Sequence, residues 1–354
     1  MDRVSRVLIV RLSSIGDVLM SVPSAEALKR AHPHVRITWV VEETSKPVVA
    51  ANPWVDEVIE LPKLRWIQLL RRWRWGTVAR EVVQFARVLR SRRPQVAVDL
   101  QGLLRSALVV WLSGAPARVG DRKALEGAAR FYTHLADMPV HPTRAAQSYV
   151  ALLAPLGVPG NAPSLTLPIS SSDDADAAAL IDELDLRHPF AVLCPATTHQ
   201  AKFWTPEGFA GVADGLQARY GLASVVLGAR RDTPLAEQIA SLASVPVAIA
   251  TGRTSVLGAA AVIRRAAVVV SVDTGLLFAS VAVGTPVVGL FGPTRFDHLA
   301  EEPVIVVNEP SCCHPCFRSP TCGDRDCMRA ITPERVLAAV GEAIRRYGRE
   351  VAGS

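Results

Sequence analysis

The chain has 354 residues, 49% of them apolar and 20% charged, with a net charge of +6 at pH 7. That balance describes a packed globular protein and argues against disorder beyond the ends, and the length exceeds what one hydrophobic core organises, so two domains are expected. No apolar run reaches the ~18 residues a membrane-spanning helix needs, and no basic stretch followed by an apolar core and cleavage site opens the chain, so a cytoplasmic protein is expected. Its six cysteines are then thiols or metal ligands before they are disulfides.

The first strand reads from Val7 to Val10 and ends at Arg11, Ser13 and Ser14. Gly16 lets backbone approach a ligand, and Asp17 to Arg30 has helical spacing, so a helix N-terminus faces whatever lies above the strand. Asp17 at that helix start suits an N-terminal cap, and it is equally where a catalytic base would stand. Apolar or β-branched runs at Arg36 to Val41, Glu57 to Leu61 and Val96 to Leu100 alternate with helical segments such as Ser24 to Ala31 and Thr77 to Ser91, which implies a parallel sheet.

Between them, residues 63–75 combine five cations with three tryptophans and four aliphatic residues. Tryptophan beside arginine suits an anionic membrane surface, and the same pattern also describes a helix with a solvated basic face. Nucleic acid is disfavoured, because neither a zinc-finger spacing nor an aromatic strand motif of the RNA-binding type is present.

A Pro, Gly and Ser-rich passage, Pro155 to Ser172, interrupts the periodicity and reads as an interdomain linker. Strands then recur at Phe190 to Cys194, Ala223 to Leu227, Val268 to Val272 and Val287 to Phe291, with helices at Pro206 to Tyr220 and Pro234 to Ala243. Two doubly wound α/β domains facing across a cleft are expected, with ligands beyond the carboxyl ends of the strands. Three of these strands end in polar loops: Thr197, Thr198 and Lys202; Asp273-Thr-Gly-Leu276; and Gly292-Pro-Thr294. Hydroxyls, a cation and a helix N-terminus are phosphate-binding groups, although a lysine in such a loop is also often only a solvated surface residue. The G-x-G-x-x-G fingerprint is absent, which disfavours a nicotinamide dehydrogenase.

The stretches Ser13-Ser-Ile-Gly-Asp17, Asp99-Leu-Gln-Gly102, Thr197-Thr-His-Gln-Ala-Lys-Phe-Trp204, Asp273-Thr-Gly-Leu276 and Leu290-Phe-Gly-Pro-Thr294 resemble, in order and spacing, the motif set of glycosyltransferase family nine, the ADP-heptose:lipopolysaccharide heptosyltransferases. The resemblance covers nearly the whole chain. It implies a GT-B architecture of two Rossmann-like domains: an acceptor-binding domain over residues 1–160, a sugar-nucleotide-binding domain over 173–332, and a C-terminal helical segment, 333–354, packing back toward the first domain. It also implies an inverting transfer from ADP-heptose, or a related sugar nucleotide, to a lipid A-core acceptor at the inner face of the inner membrane, which residues 63–75 would contact.

Under this resemblance Asp17 matches the catalytic base and Lys202 the diphosphate-binding lysine. Thr197, Thr198, Asp273, Thr274, Gly275 and Leu276 belong with Lys202 at the donor, and Asp232 reaches the ribose. Arg11, with Ser13, Ser14, Gly16 and Gln101, works on the acceptor or the diphosphate. Fixed cations and amides at the leaving group can substitute for a metal, so no cofactor is expected for catalysis.

Two features depart from the family pattern. Phe278 stands where members carry a histidine, and phenylalanine cannot donate to a sugar hydroxyl or phosphate. Cys313, Cys316, Cys322 and Cys327 have spacings that fit a structural zinc or iron, a feature resembling the iron-holding cluster of members that glycosylate autotransporter proteins; a loop of reduced thiols is the plain alternative. A protein acceptor, or a sugar-nucleotide-binding member without turnover, are the readings that compete with a lipopolysaccharide transferase.

Overall fold

A computed structural model of the chain describes residues 4–139, 141–186, 189–309, 316 and 325–348. The chain divides into two units, Met1–Leu165 and Thr166–Ser354. In the first, β1 (Arg6–Val10), α1 (Ile15–Ser21), α2 (Pro23–Ala31), β2 (Arg36–Glu42), α3 (Lys46–Ala50), β3 (Glu57–Leu61), α4 (Lys63–Arg71), α5 (Trp75–Ser91), β4 (Val96–Asp99), α6 (Leu104–Leu112), β5 (Ala117–Asp121), β6 (His134–Ala136) and α7 (Gln147–Ala151) follow one another. The six strands form one parallel sheet in the order β3-β2-β1-β4-β5-β6.

The second unit repeats this plan. It runs through α8 (Ser171–Glu183), β7 (Phe190–Cys194), α9 (Pro206–Tyr220), β8 (Ala223–Val226), α10 (Thr233–Leu242), β9 (Val247–Ile249), α11 (Val256–Arg265), β10 (Val268–Val272), α12 (Gly275–Val283), β11 (Val287–Phe291), β12 (Val304–Asn308), α13 (Asp326–Arg329) and α14 (Pro333–Tyr347). Its strands are parallel in the order β12-β11-β10-β7-β8-β9. Each sheet therefore reverses direction once, between β1 and β4 in the first and between β7 and β10 in the second. Ligands of such sheets bind outside the carboxyl ends of the strands at that reversal.

The expected strands are all present; every residue of β7, β10 and β11 is buried, as befits strands covered by helices on both faces, while the edge strand β3 leaves Glu60 exposed. Residues 117–121, 134–136, 247–249 and 304–308 form further strands that the sequence reading did not name, two of them only three residues long. The expected helix from Asp17 to Arg30 is two helices, α1 and α2, meeting at Val22 with Pro23 opening the second, since proline is tolerated only in a first turn. The linker ends earlier than expected: helix α8 begins at Ser171, and the Ser170 side chain accepts from the Asp173 amide to cap it.

The core of the first sheet's one face is built by Leu8, Val10, Ile59 and Ala97 with Phe85 and Leu89 of α5 and Val109 and Val110 of α6, and Trp66 of α4 packs against it. In the second unit, Trp204 and Phe209 join Val336, Leu337, Val340 and Ala343 of α14. The apolar stripe of α14 joins the second unit's core, and the Trp204 indole donates to the Ile331 carbonyl at 3.1 Å just before it. Gly292, after β11, is required by close approach. A Cβ there would stand 2.6 Å from Met328 Sδ and 2.7 Å from Cys327 Sγ of α13.

Candidate functional site

Polar side chains gather at the strand-order reversal of each sheet. In the first unit the chain leaves β1 at Arg11, which is buried, and enters α1 through a cis Ser13–Ser14 peptide. Ser14 is the N-cap of α1, and Asp17 is the third residue of the helix, so Asp17 is not itself the cap. Its Oδ2 accepts from the Ser14 hydroxyl at 2.8 Å and the Ser14 amide at 3.2 Å. Its Oδ1 lies 2.9 Å from Arg11 Nη2 and accepts from the Tyr149 hydroxyl at 3.3 Å.

Arg11 is itself aimed. Its Nη1 donates to the Leu100 carbonyl at 2.8 Å, and its guanidinium lies 5.1 Å from the centre of the Tyr149 ring. Burial pushes the Asp17 pKa up, but the Arg11 charge, the Ser14 donors and the Tyr149 hydroxyl outweigh it and hold the carboxyl below the usual range. Asp17 is thus an ionised carboxylate at neutral pH. Its side chain is 38% exposed against 8% for Arg11, so the carboxylate is reachable from solvent while its partner is not.

The loop after β4 supports this arrangement. Gln101 Oε1 accepts from the Leu12 amide at 2.9 Å, tying the β4 loop to the β1 loop across the reversal. Gln101 is positioned in turn by buried Asp99, whose Oδ1 accepts from the Gln101 amide at 2.8 Å and the Gly102 amide at 3.0 Å. Burial pushes the Asp99 pKa up, and the Tyr132 hydroxyl, donating to Oδ2 at 2.7 Å, works against that rise together with the two amides. Gly102 sits at a φ of 70°, a conformation glycine adopts without penalty. Arg105 of α6 donates to the Ser13 hydroxyl at 3.0 Å and stands 3.7 Å from buried Glu42, whose other oxygen pairs with Lys63 at 2.9 Å. Gly16 is buried in the first turn of α1.

In the second unit the loops after β7, β10 and β11 are neighbours because those strands are neighbours. Asp273, after β10, receives the Lys202 ammonium from the β7 loop at 2.6 Å and the Thr294 hydroxyl from the β11 loop at 2.7 Å, both on Oδ2. Thr197 donates to the Asp273 carbonyl at 3.4 Å, and Thr198 is exposed on the same loop. Helix α12 starts immediately after Thr274, so the Gly275 and Leu276 amides are first-turn N–H groups that the helix cannot satisfy internally. A cation, hydroxyls and these amides form an anion-binding constellation.

Asp232, after β8, is engaged locally: its Oδ2 accepts from the Ala229 amide at 2.8 Å, and Arg231 lies 3.7 Å from Oδ1. Phe278 is buried on α12 and stacks on His298, with ring centres 6.0 Å apart and planes at 21°. Cys194, ending β7, is a buried thiol whose pKa burial pushes up to about 12, so it is not a nucleophile at neutral pH.

Cys313 and Cys322 lie outside the described residues. Cys316 is half-buried and Cys327 is buried in the second core. Among the described residues no group of three or more His, Cys, Asp or Glu side chains is gathered to hold a metal ion.

Sequence reasoning identified Arg11, Asp17, Gln101, Lys202 and Asp273, which the structure assembles into the two clusters. It missed Tyr149, Arg105 and Glu42. Tyr149 meets Asp17 across 132 positions of chain, from a helix of five residues, and nothing local to residue 149 signals it. It also placed Asp273 among donor-binding groups without showing that this carboxylate aims Lys202.

Residues 82–323 match the model of glycosyltransferase family 9 (heptosyltransferase). The chain is 28% identical over 352 residues to lipopolysaccharide heptosyltransferase 1 of Pseudomonas aeruginosa, covering 94% of this chain and 96% of the relative. Its fold superposes with a TM-score of 0.79, at 22% identity, on the crystal structure of a glycosyl transferase family 9 protein from Veillonella parvula, covering 96% and 97% of the two chains. E. coli heptosyltransferase WaaC with ADP-2-deoxy-2-fluoro heptose gives a TM-score of 0.71 at 26% identity, covering 95% and 99%. These likenesses span both units, and the paired six-stranded parallel sheets are those of the GT-B fold.

Proposed function

The chain belongs to glycosyltransferase family 9, the heptosyltransferases, and from that premise we propose that it moves a heptose from ADP-heptose to the inner core of lipopolysaccharide, with inversion at the anomeric carbon. It works from the cytoplasmic side of the inner membrane, where the lipid anchor of such an acceptor resides. The first unit takes the acceptor and the second the sugar nucleotide.

The observation that carries this reading is the Asp17 carboxylate: ionised, 38% exposed, and fixed by Arg11 at the strand-order reversal of the first sheet. Asp17 removes the acceptor hydroxyl proton as that oxygen bonds to the anomeric carbon, while the bond from that carbon to the diphosphate breaks and its electron pair leaves with ADP. A carboxylate with a depressed pKa is a weak base, which suits proton transfer late in the step, once the attacking oxygen has lost electron density to the new bond. Arg11 and Tyr149 hold Asp17 in one orientation.

Negative charge grows on the departing ADP. Lys202, aimed by Asp273 and Thr294, and the first-turn amides of α12 supply fixed positive charge for it. Asp232, at the end of the adjoining strand, receives the ribose hydroxyls in this reading. The family resemblance at Asp17 and Lys202 favours turnover over a role in binding alone.

The test incubates the purified chain with ADP-heptose, with and without an inner-core acceptor, and follows ADP release and the mass of the acceptor. ADP release that requires the acceptor, with a mass gain of one heptose, is expected. An unchanged acceptor mass overturns the proposal.

A further inference from the structure

Ten of the twelve exposed large apolar side chains among the described residues belong to the first unit, and most of them lie on one of its layers. Helices α4, α5 and α6 pack side by side on one face of the first sheet, where Trp66, Phe85, Leu89 and Val110 form the core beneath them. Their outer sides are left apolar and cationic. On α6, Leu104, Leu108 and Trp111 are all exposed and fall one helical turn apart. On α5, Arg80, Val83 and Arg87 make a parallel exposed row.

The turn between α4 and α5 is the most unusual part of this layer. The Trp73 amide donates to the Leu70 carbonyl and the Arg74 amide to the Leu69 carbonyl, both at 3.0 Å, the pair of bonds that closes a helix when the residue after its cap turns left-handed. Glycine usually takes that position. Here it is Trp73, at a φ of 56° and 80% exposed, with Trp75 beside it at a ring-centre distance of 6.2 Å. A bulky aromatic held outward in a strained conformation at a turn is a cost to folding that packing within the unit does not repay.

Charge points to what repays it. Residues 63–93 hold ten lysines and arginines against one acid, a surplus of +9 in a chain whose net charge is +6. Lys63, Arg65 and Arg92 are neutralised by Glu42, Glu81 and Glu57. Arg71, Arg72, Arg74, Arg80 and Arg87 make no ion pair among the described residues and are exposed.

We propose that this outer face of α4, α5 and α6 docks on an anionic lipid bilayer, with Trp73, Trp75 and Trp111 settling at headgroup depth and the unpaired arginines meeting lipid phosphates. The proposal rests on the reading of a lipid-anchored acceptor. Indole rings prefer the interfacial zone, and juxtamembrane cations are drawn to anionic headgroups in a salt-dependent way. A nucleic-acid groove would not call for the aliphatic row of α6, and a second copy of the chain would bring the same positive face against itself.

The full chain is mixed with vesicles of phosphatidylcholine, with and without phosphatidylglycerol, and sedimented at low and high salt. Binding only to the anionic vesicles, weakening with salt, is expected. Removing three cations in Arg71→Ser/Arg72→Ser/Arg74→Ser weakens that binding about 100-fold. Trp73→Gly weakens it while leaving the melting temperature unchanged or raised, because glycine relieves the left-handed turn; this separates docking from folding. All variants keep wild-type transfer to a deacylated, water-soluble acceptor and lose transfer to the same acceptor embedded in vesicles.

Equal binding to neutral vesicles, or undiminished binding by the triple arginine variant, overturns the proposal. So does a wild-type chain that light scattering shows to be a dimer and that Trp73→Gly converts to a monomer, since the face would then be an interface between copies. Anionic vesicle binding with these dependences, in a chain inactive on every acceptor, upholds the docking face while refuting the transferase reading.

Discussion

Arg11 Nη2 lies 2.9 Å from Asp17 Oδ1, and the same guanidinium is fixed on its other side to the Leu100 carbonyl, so the carboxylate of the first unit is oriented by a cation that the fold itself holds still. The pair spans the end of β1 and the first turn of α1. It keeps Asp17 ionised and leaves its second oxygen with the Ser14 donors.

Replacing Asp17 by Asn keeps its size but removes the proposed base. Turnover is expected to fall by about two to four decades. ADP affinity, measured by calorimetry, is expected to stay unchanged, because the donor groups proposed above, Lys202, Asp273 and Thr294, belong to the second unit. Near-normal turnover would reduce Asp17 to its capping-box contact with Ser14.

With Asp17 as the proposed base, its depressed pKa is expected to set the acid limit of activity. A base whose folded pKa lies below the ordinary aspartate value of about 3.9 remains charged as pH falls from neutrality through the mildly acidic range. The acid limb of kcat/KM therefore lies below that value rather than near pH 6. The sign for stability is the same: the pair's contribution is complete above the unfolded pKa and is lost as pH falls through the lower, folded one. Tyr149→Phe removes one donor to Asp17 and moves the acid limb upward by a fraction of a pH unit, with little change in KM for ADP-heptose. An acid limb near pH 6 in the wild type would mean that another group is the base.

Lys202→Ala removes the cation proposed to meet the diphosphate, and ADP affinity is expected to drop about 10- to 100-fold. Asp273→Asn keeps Lys202 but loosens its aim, so ADP binding and transfer are both expected to fall less than in Lys202→Ala. Calorimetry that finds wild-type ADP affinity in Lys202→Ala would remove this lysine from the donor site.

Phe278→His tests the departure from the family pattern. The ring is only 4% exposed and stacked on His298, so the new imidazole enters an apolar position of α12 and costs about 1–3 kcal/mol if its ring nitrogens find no partner. A lower melting temperature and reduced transfer from ADP-heptose are expected. Higher activity with an unchanged melting temperature would instead show that the ring faces the donor sugar.

Tyr132→Phe leaves Asp99 Oδ2 buried without its hydroxyl donor. It is expected to destabilise the chain by about 1–3 kcal/mol in denaturant unfolding. Because Asp99 also sets Gln101, transfer falls at temperatures where the fold is intact. A variant as stable as the wild type would contradict the role of this buried pair.

The sequence by itself determined the strands whose ends carry the polar cluster of each sheet, since a parallel strand covered on two faces is a mostly apolar run bounded by polar residues. It determined as well that Arg11 and Asp273 directly follow their strands, while Asp17 and Lys202 follow seven and eight residues after theirs, in the first turn of α1 and in the loop before α9. Tertiary structure alone decided who meets whom. Strand order puts β1 beside β4 and β7 beside β10, bringing Gln101 to Leu12 and Asp273 to Lys202 over 89 and 71 positions of chain. Periodicity reports which face of an element is buried but not which element covers it, so Tyr149 on Asp17, Phe278 on His298 and the shared outer face of α4, α5 and α6 follow only once the helices are laid on their sheets.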